Sequence, residues 1–103
     1  MVKISAMKSK KNYPAINVLN VMRGFQNPKL PHRITPYRFE THDGQTHKVA
    51  RIRQSTTQRV GQGHHYHYVL KTEESRYFHI VFDSNTLTWR LVQEVDEQLF
   101  FNE

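Results

Sequence analysis

The fold is decided by the stretch RYFHIVFDSNTLTWRLVQEV at residues 76–95. Apolar and polar side chains alternate along both of its halves, which is the period-two pattern of strands that bury one face. A loop over residues 83–86 brings the apolar side chains of the two halves opposite one another. The resulting pairs are Phe82–Leu87, Ile80–Trp89 and Phe78–Leu91. A slip of one residue would pair core with solvent, so the sequence predicts an antiparallel hairpin in this register.

Further strands are predicted upstream of this hairpin. They lie at residues 37–41, 46–54 and 64–71. The first two surround Asp43-Gly44, a dipeptide that readily supplies the positive φ of a tight hairpin turn. In the third strand the core-facing side chains are Tyr66, Tyr68 and Leu70. Residues 55–63 are polar and have two glycines near their end, which predicts a loop or a wide hairpin connection.

The first quarter of the chain is ambiguous. In the helical interpretation of residues 12–25, Asn12 is the N-cap and Gly24 ends the helix. In the strand interpretation, β-branched residues such as Ile16 and Val18 favour extended backbone, and we lean towards this one. Residues 26–36 contain three prolines without periodicity, which predicts a connecting loop.

Together these patterns predict a mainly β fold, a small antiparallel sheet or partly closed barrel of five or six strands, with at most short terminal helices. A chain of 103 residues has material for one modest core, and its twelve aromatic residues argue against disorder. We predict a flexible basic arm at residues 1–11 and a single domain at residues 12–103. The last residues, 96–103, could form a helical turn that folds back on the sheet.

The absence of cysteine excludes disulfides, thiolate metal sites and cysteine nucleophiles. Small secreted domains usually carry disulfides, so a reducing compartment is favoured and the cytoplasm is the predicted location. The basic start is followed by an apolar run at residues 16–22 that is short and interrupted by two asparagines. This run is neither a signal peptide nor a membrane span.

Charge is distributed unevenly along the chain. Residues 1–60 hold twelve Lys and Arg against two acidic residues, whereas residues 61–103 hold three against seven. Such a division is typical of proteins with a polyanion-binding face opposite an acidic one. It is equally compatible with two halves that neutralise each other across a folded sheet.

Several motifs between residues 36 and 95 resemble a family of small bacterial all-β domains of unknown function. They are Pro36-x-Arg38-Phe39, the turn glycine Gly44, a Val/Ile strand, Phe82-Asp83 and Trp89-x-Leu91. The chain departs from the family in lacking aromatic residues near the glycine turn. Because some relatives are encoded near lesion-bypass DNA polymerases, the resemblance implies a link to nucleic acid.

A basic surface with interleaved rings is the leading candidate site. Its predicted residues are Arg38, Arg51, Arg53, Arg59, Tyr77, His65 and His67. Single-stranded nucleic acid is held by a basic groove along its backbone and by exposed aromatic rings that stack on its bases. Arginine beside tyrosine is also how an ordinary sheet covers its outer face.

The histidines suggest a second candidate. His65, His67 and His79 share the outer face of adjacent strands, and one hairpin register places His67 directly opposite His79, close enough for both to bind Zn²⁺. Against a metal, the predicted register places Arg90 across from His79. The alternative is that these histidines are ordinary amphipathic side chains on the solvent face.

Enzyme chemistry has the least support. Carboxylates are few, and the sequence contains neither a nucleophile elbow nor a glycine-rich phosphate loop. The sequence therefore predicts no cofactor and a non-catalytic binding module, for single-stranded nucleic acid or an acidic protein, without membrane association. The alternative is a protein-interaction or structural module that binds through a sheet edge or the acidic C-terminal segment.

Overall fold

The structure, a computed structural model, describes residues 13–96 as six strands that follow one another around a closed barrel. The strands are β1 (Ala15–Met22), β2 (Ile34–Glu40), β3 (Thr46–Val60), β4 (Gly63–Thr72), β5 (Tyr77–Asp83) and β6 (Thr88–Val95). The predicted fold class is confirmed, and so is the strand interpretation of β1. The predicted basic arm and nearly all of the predicted terminal helical turn lie outside the described residues. No described segment forms a helix that could span a membrane.

Every strand pairs antiparallel with its neighbours in the chain, and β6 returns to β1 to close the barrel. At this seam Ala15 lies opposite Arg90 and Ile16 lies opposite Trp89. The seam is reinforced just before β1, where the Leu91 amide donates to the Pro14 carbonyl at 2.9 Å. Closure satisfies backbone groups that an open sheet would leave unpaired at its two edges.

Aromatic and branched side chains from every strand meet inside the barrel. Phe39, Leu70 and Ile80 are almost fully inaccessible to solvent. Phe39 packs edge-on against Phe78 with 5.2 Å between ring centroids, and Phe82 packs against Trp89 at 5.0 Å. Each fully buried apolar side chain contributes about 1.5–3 kcal/mol relative to an exposed one.

The loop predicted at residues 55–63 is wrong, because β3 continues to Val60 and turns within two residues. Thr56 lies opposite His67, and Arg59 lies opposite His64. The turn is Gly61-Gln62, and Gly61 takes the left-handed φ of +62° that this tight connection requires. Most side chains in this part of β3 are exposed, so burial does not select apolar residues and the strand has no hydrophobic pattern.

The predicted register of the last hairpin is shifted by two residues. Phe82 lies opposite Trp89 and Ile80 opposite Leu91. Leu87, expected in the core, is 72% exposed in the turn with φ +58°. A shift of two preserves which side chains face inward, so apart from Leu87 the predicted core survives.

The prediction that Tyr77, His67 and His79 face solvent is also wrong. Alternating residues of β5 do point to opposite faces, but both faces are buried. Tyr77 is 2% exposed, and His79 and Val81 are buried beside it. Because nearly all residues of β5 are buried, on both faces of the strand, β5 is a main structural element of the barrel.

The positions of Ile80 and Leu87 give opposite expectations for stability. We expect Ile80→Ala to lower the free energy of unfolding by about 2–5 kcal/mol, because it leaves a cavity in the core. Leu87→Gly should leave it unchanged or raise it by up to about 1 kcal/mol, because glycine tolerates the left-handed backbone there. Urea denaturation measures both. Equal destabilisation by the two substitutions would show that Leu87 is buried in the core and would contradict this register.

Candidate nucleic-acid interface

The outer face of β2, β3 and β4 carries two pairs of cations that oppose each other across neighbouring strands. Arg38 of β2 lies directly opposite Lys48 of β3. Further along β3, Arg51 lies directly opposite Lys71 of β4. Directly opposed Cβ atoms in an antiparallel pair are about 4.5–5.5 Å apart. We call these four residues the cation face.

Strand pairing fixes the outward direction of the first pair. The neighbouring pair, Phe39 and His47, points into the barrel, and both side chains are buried. Because side chains alternate along a strand, Arg38 and Lys48 must point outward. The second pair follows a register irregularity of β3 between Val49 and Arg51, which keeps Val49 packed against the core and leaves Arg51 exposed.

No residue of the cation face forms an ion pair within the part of the chain that the structure describes. Ion pairs in that part of the chain involve other residues, for example His47 with Glu74, His65 with Asp83 and Arg76 with Glu94. Like charges directly opposite one another destabilise a sheet. The four cations of the cation face are therefore available to bind an anion, because no described acidic side chain forms an ion pair with them.

Each cation pair lines an open hollow beside the β4–β5 turn. The hollow at Arg38 and Lys48 measures about 420 Å³, and the one at Arg51 and Lys71 about 510 Å³. The turn is held against β3 by the Glu73 amide, which donates to the Lys48 carbonyl at 2.9 Å. Glu73 lines both hollows, so its carboxylate is the main local charge that opposes anion binding.

Glu74, which also lines the smaller hollow, is engaged by groups of its own. A hydrogen bond from Thr72 and a second from His47 hold the pKa of the Glu74 carboxyl below its usual range. The contact between His47 Nδ1 and Glu74 Oε2 is 3.1 Å. These donors favour the ionised form, so the Glu74 carboxylate keeps its negative charge and, together with Glu73, opposes anion binding at the smaller hollow.

The chain matches no family model, no curated protein and no solved structure.

The structure brings together only part of the predicted basic surface. Arg38 and Arg51 belong to the cation face, and Arg53 follows on β3 as a half-buried side chain. Arg59 is exposed but lies eight residues beyond Arg51 along the same strand, roughly 25 Å away at about 3.3 Å per residue. It therefore belongs to a different part of the surface.

The rings proposed to stack on bases do not provide a stacking surface. Tyr77 is 2% exposed and His67 is 4% exposed, so neither can present a ring face to a ligand. His65 is half-buried, and its Nε2 lies 3.4 Å from Asp83 Oδ2. Of the predicted interface, Arg38 and Arg51 therefore remain together on one surface, whereas the aromatic members do not join them.

Sequence reasoning missed three members of this surface, namely Lys48, Lys71 and the 42% exposed Tyr37 beside Arg38. The signal for Lys48 was present. A hairpin turn at Asp43-Gly44 places Glu40 opposite Thr46. Two residues further from the turn on each strand, Arg38 then lies opposite Lys48. Lys71 and Tyr37 depend on irregularities of strand pairing that no turn motif marks.

The histidines form a buried polar cluster on the outer face of β4 and β5. His67 lies opposite Val81 and His79 opposite Val69, so the predicted direct opposition of the two histidines is wrong. They meet diagonally instead, with 2.9 Å between His67 Nδ1 and His79 Nε2. His67 Nε2 lies 3.3 Å from the Gln58 side-chain oxygen.

One pair of neutral tautomers satisfies all of these contacts. His67 donates from Nε2 to the Gln58 oxygen, and its Nδ1 accepts from the Nε2–H of His79. Burial lowers the pKa of His67 to about 4, and the adjacent His79 adds to this effect. Burial also lowers the pKa of His79 to about 4. Both imidazoles are therefore neutral at physiological pH.

The same cluster contains the residues of the predicted metal site. His65 is separated from His67 by 6.2 Å between ring centroids and faces Asp83 rather than the other two histidines. Among residues 13–96, no group of three or more His, Asp or Glu side chains is arranged to hold a metal ion. The metal site remains a prediction from the sequence.

The buried histidine pair predicts a loss of stability in mild acid. Both groups bind a proton more weakly in the folded protein, at a pKa of about 4, than in the unfolded chain, at about 6.5. The contribution of the pair to the free energy of unfolding is therefore fully present above pH 6.5 and is lost as the pH falls towards 4, on the order of 3 kcal/mol for the pair. Urea denaturation at a series of pH values measures this slope.

The matched variants are His79→Gln and His42→Gln. His79→Gln should flatten the dependence between pH 6.5 and 4, whereas His42→Gln, in the exposed β2–β3 turn, should leave it unchanged. A wild-type stability that is constant across this range would show that the pair is not buried in its neutral form.

The opposed cations predict a repulsive coupling between Arg38 and Lys48. In a double-mutant cycle of Arg38→Gln and Lys48→Gln, we expect about 0.2–1 kcal/mol of unfavourable interaction, which shrinks as salt is added. Each single substitution relieves the repulsion, so the second substitution gains less. A favourable coupling, or one that salt does not alter, would mean that the two side chains do not face each other.

Proposed function

We propose that this barrel is a non-catalytic module that binds a phosphate-bearing polyanion, with nucleic acid as its ligand. The observation that carries the proposal is the presence of two cation pairs, Arg38–Lys48 and Arg51–Lys71, on the outer face of β2, β3 and β4, with no ion-pair partner among residues 13–96. Charge repulsion of this kind lowers stability in the free protein and is relieved when a polyanion binds. The absence of cysteine favours the cytoplasm as the place of binding.

The spacing of the cation face favours a chain of anions over a single small one. Lys48 and Arg51 are three residues apart on β3, which separates the two pairs by roughly 10 Å. The two hollows share Glu73 and no other lining residue. Successive phosphates of one backbone could occupy both hollows, whereas a single phosphate would engage only one.

Charge over the whole chain supports the same proposal. The protein carries a formal net charge of +6, and most of its acidic residues lie after residue 60. A positive field draws polyanions towards the surface before any contact forms, and this raises the association rate.

The alternative is a protein-interaction module that binds through a sheet edge. β3 pairs with β2 only at residues 46–48, so among the described residues the rest of β3 offers such an edge to strand addition. Binding at that edge would leave the like charges of the cation face unexplained, and for this reason we favour a polyanion. The acidic C-terminal segment of that alternative lies largely outside the described residues. An acidic protein that binds the cation face is a different case, and it is distinguished from nucleic acid by experiment.

Binding to a fluorescently labelled oligothymidylate should weaken steeply with salt. Four neutralised phosphates on a single strand predict a slope of roughly −3 for the logarithm of affinity against the logarithm of salt concentration. Substituting one pair, as in Arg38→Gln with Lys48→Gln, should reduce the slope to roughly half. Glu73→Gln should act in the opposite direction and tighten binding, because it removes the carboxylate between the hollows. Fluorescence anisotropy measures all three.

The control is Lys29→Gln, which removes an exposed cation of the β1–β2 loop and should leave the slope unchanged. No binding by the wild-type protein at low salt would contradict the proposal. Equal losses from Lys29→Gln and from the cation-face variants would show attraction by net charge alone, and would contradict the assigned surface.

A further inference from the structure

Beside the cation face, β1 and β2 expose a group of apolar and aromatic side chains. Leu19 is 64% exposed, Tyr37 is 42% exposed and Val21 is also exposed. We call these three residues the apolar stripe. Strand positions on the solvent side of a barrel are normally polar, so a contiguous apolar group there indicates a surface that contacts something.

A β-bulge in β2 adds Tyr37 to the apolar stripe. Leu19 pairs with Arg38 and the next residue, Asn20, pairs with Pro36, so Tyr37 is an extra residue in β2. Pro36 and Phe39 are both buried, and the two residues between them are both exposed. The bulge thus turns an aromatic ring outward directly beside Arg38. Bulges re-aim side chains in this way and are over-represented near functional sites.

The apolar stripe and the cation face form one continuous surface. Arg38 lies opposite Leu19 of β1 on one side and opposite Lys48 of β3 on the other. An apolar side chain, an arginine and a lysine therefore stand side by side across three strands, with Tyr37 next to them. A ligand that contacts the cations at Arg38 and Lys48 would also cover the tyrosine ring.

From this juxtaposition we infer that the ligand is a single-stranded nucleic acid, whose unpaired bases pack on Tyr37 and Leu19 while its phosphates contact the cation face. This inference rests on the proposed function. Unpaired bases present a π-face to an aromatic side chain, and stacking of this kind tolerates any base sequence. A duplex keeps its bases stacked inside and presents mainly phosphates to a protein surface. It would therefore leave the apolar stripe exposed to water.

The test compares two labelled probes of equal phosphate number, an oligothymidylate and a blunt DNA duplex, at the same low salt concentration. We expect the oligothymidylate to bind at least ten-fold more tightly. Tyr37→Ala should weaken oligothymidylate binding by about 5- to 150-fold, which is the loss of affinity that corresponds to one base–aromatic stack. The salt slope should not change, because no cation is removed. Tyr37→Phe retains the ring and should restore wild-type binding. Duplex binding should be unaffected by either substitution.

Exposed leucines provide a matched pair of variants. Leu19→Ala should weaken oligothymidylate binding, whereas Leu87→Ala removes a leucine of similar exposure from the β5–β6 turn and should not. All of these positions are exposed, so the variants should retain the wild-type free energy of unfolding, which urea denaturation checks. An equal loss from both leucine variants would overturn the assignment of the stripe.

The outcomes separate this inference from the function on which it rests. Salt-dependent binding of both probes with equal affinity, untouched by Tyr37→Ala, would overturn the single-strand inference and keep the polyanion-binding function. Absence of binding to either probe at low salt would overturn both. Competition by polyglutamate as effective as by unlabelled oligothymidylate would assign the surface to an acidic polypeptide and overturn the inference.

Discussion

Antiparallel pairing of β2, β3 and β4 is the constraint on which the proposed surface depends. Side chains alternate with a period of two, so the burial of Phe39 and His47 commits Arg38 and Lys48 to the outside. The turn at Gly44, with φ +86°, sets this pairing, and one residue more or less in that turn would send the cations inward. The charge arrangement is therefore a direct consequence of turn geometry and core packing.

The like charges of the cation face lower the stability of the barrel but favour the binding of an anion. A barrel selected for stability alone would place an acidic or neutral residue opposite each arginine, since opposite-charge pairs stabilise a sheet and like-charge pairs destabilise it. The chain can form such pairs, because Arg76 is joined to Glu94 by two hydrogen bonds of 2.9 Å elsewhere on the surface. Retaining like charges where ion pairs were available is the physical reason for assigning them to a ligand. The tightly packed β5, buried on both faces, provides stability that offsets this local repulsion.

Much of the fold could be predicted from the sequence, because the alternation of Phe78, Ile80 and Phe82 admits only one inward face. The details that escaped prediction depend on backbone geometry and tertiary packing. Leu87 adopts a left-handed backbone that a leucine rarely takes, and this moved the turn by one residue and the register by two. The end of β3 is a strand because it pairs with β4, although its polar side chains show no pattern. Tyr77 points outward as predicted, but tertiary packing buries it, and a single strand's pattern contains no information about that.

The candidate site was predicted in part for the same reason. Arg38 and Arg51 were identified because their strands were identified, whereas Tyr37 reaches the surface through a bulge that alternation does not anticipate. The histidine cluster shows the converse case. Its sequence pattern suggested a ligand site, but the structure places His67 and His79 in a buried, neutral hydrogen bond with each other.

The most direct test of the account is the location of a bound oligonucleotide on the barrel. Two-dimensional ¹H–¹⁵N NMR spectra, recorded during titration with unlabelled oligothymidylate at low salt, report which backbone amides change environment. The account predicts that the largest shifts cluster on the outer face of β2, β3 and β4 around Arg38, Lys48, Arg51 and Lys71. Shifts confined to the β5–β6 turn and the opposite side of the barrel would contradict it.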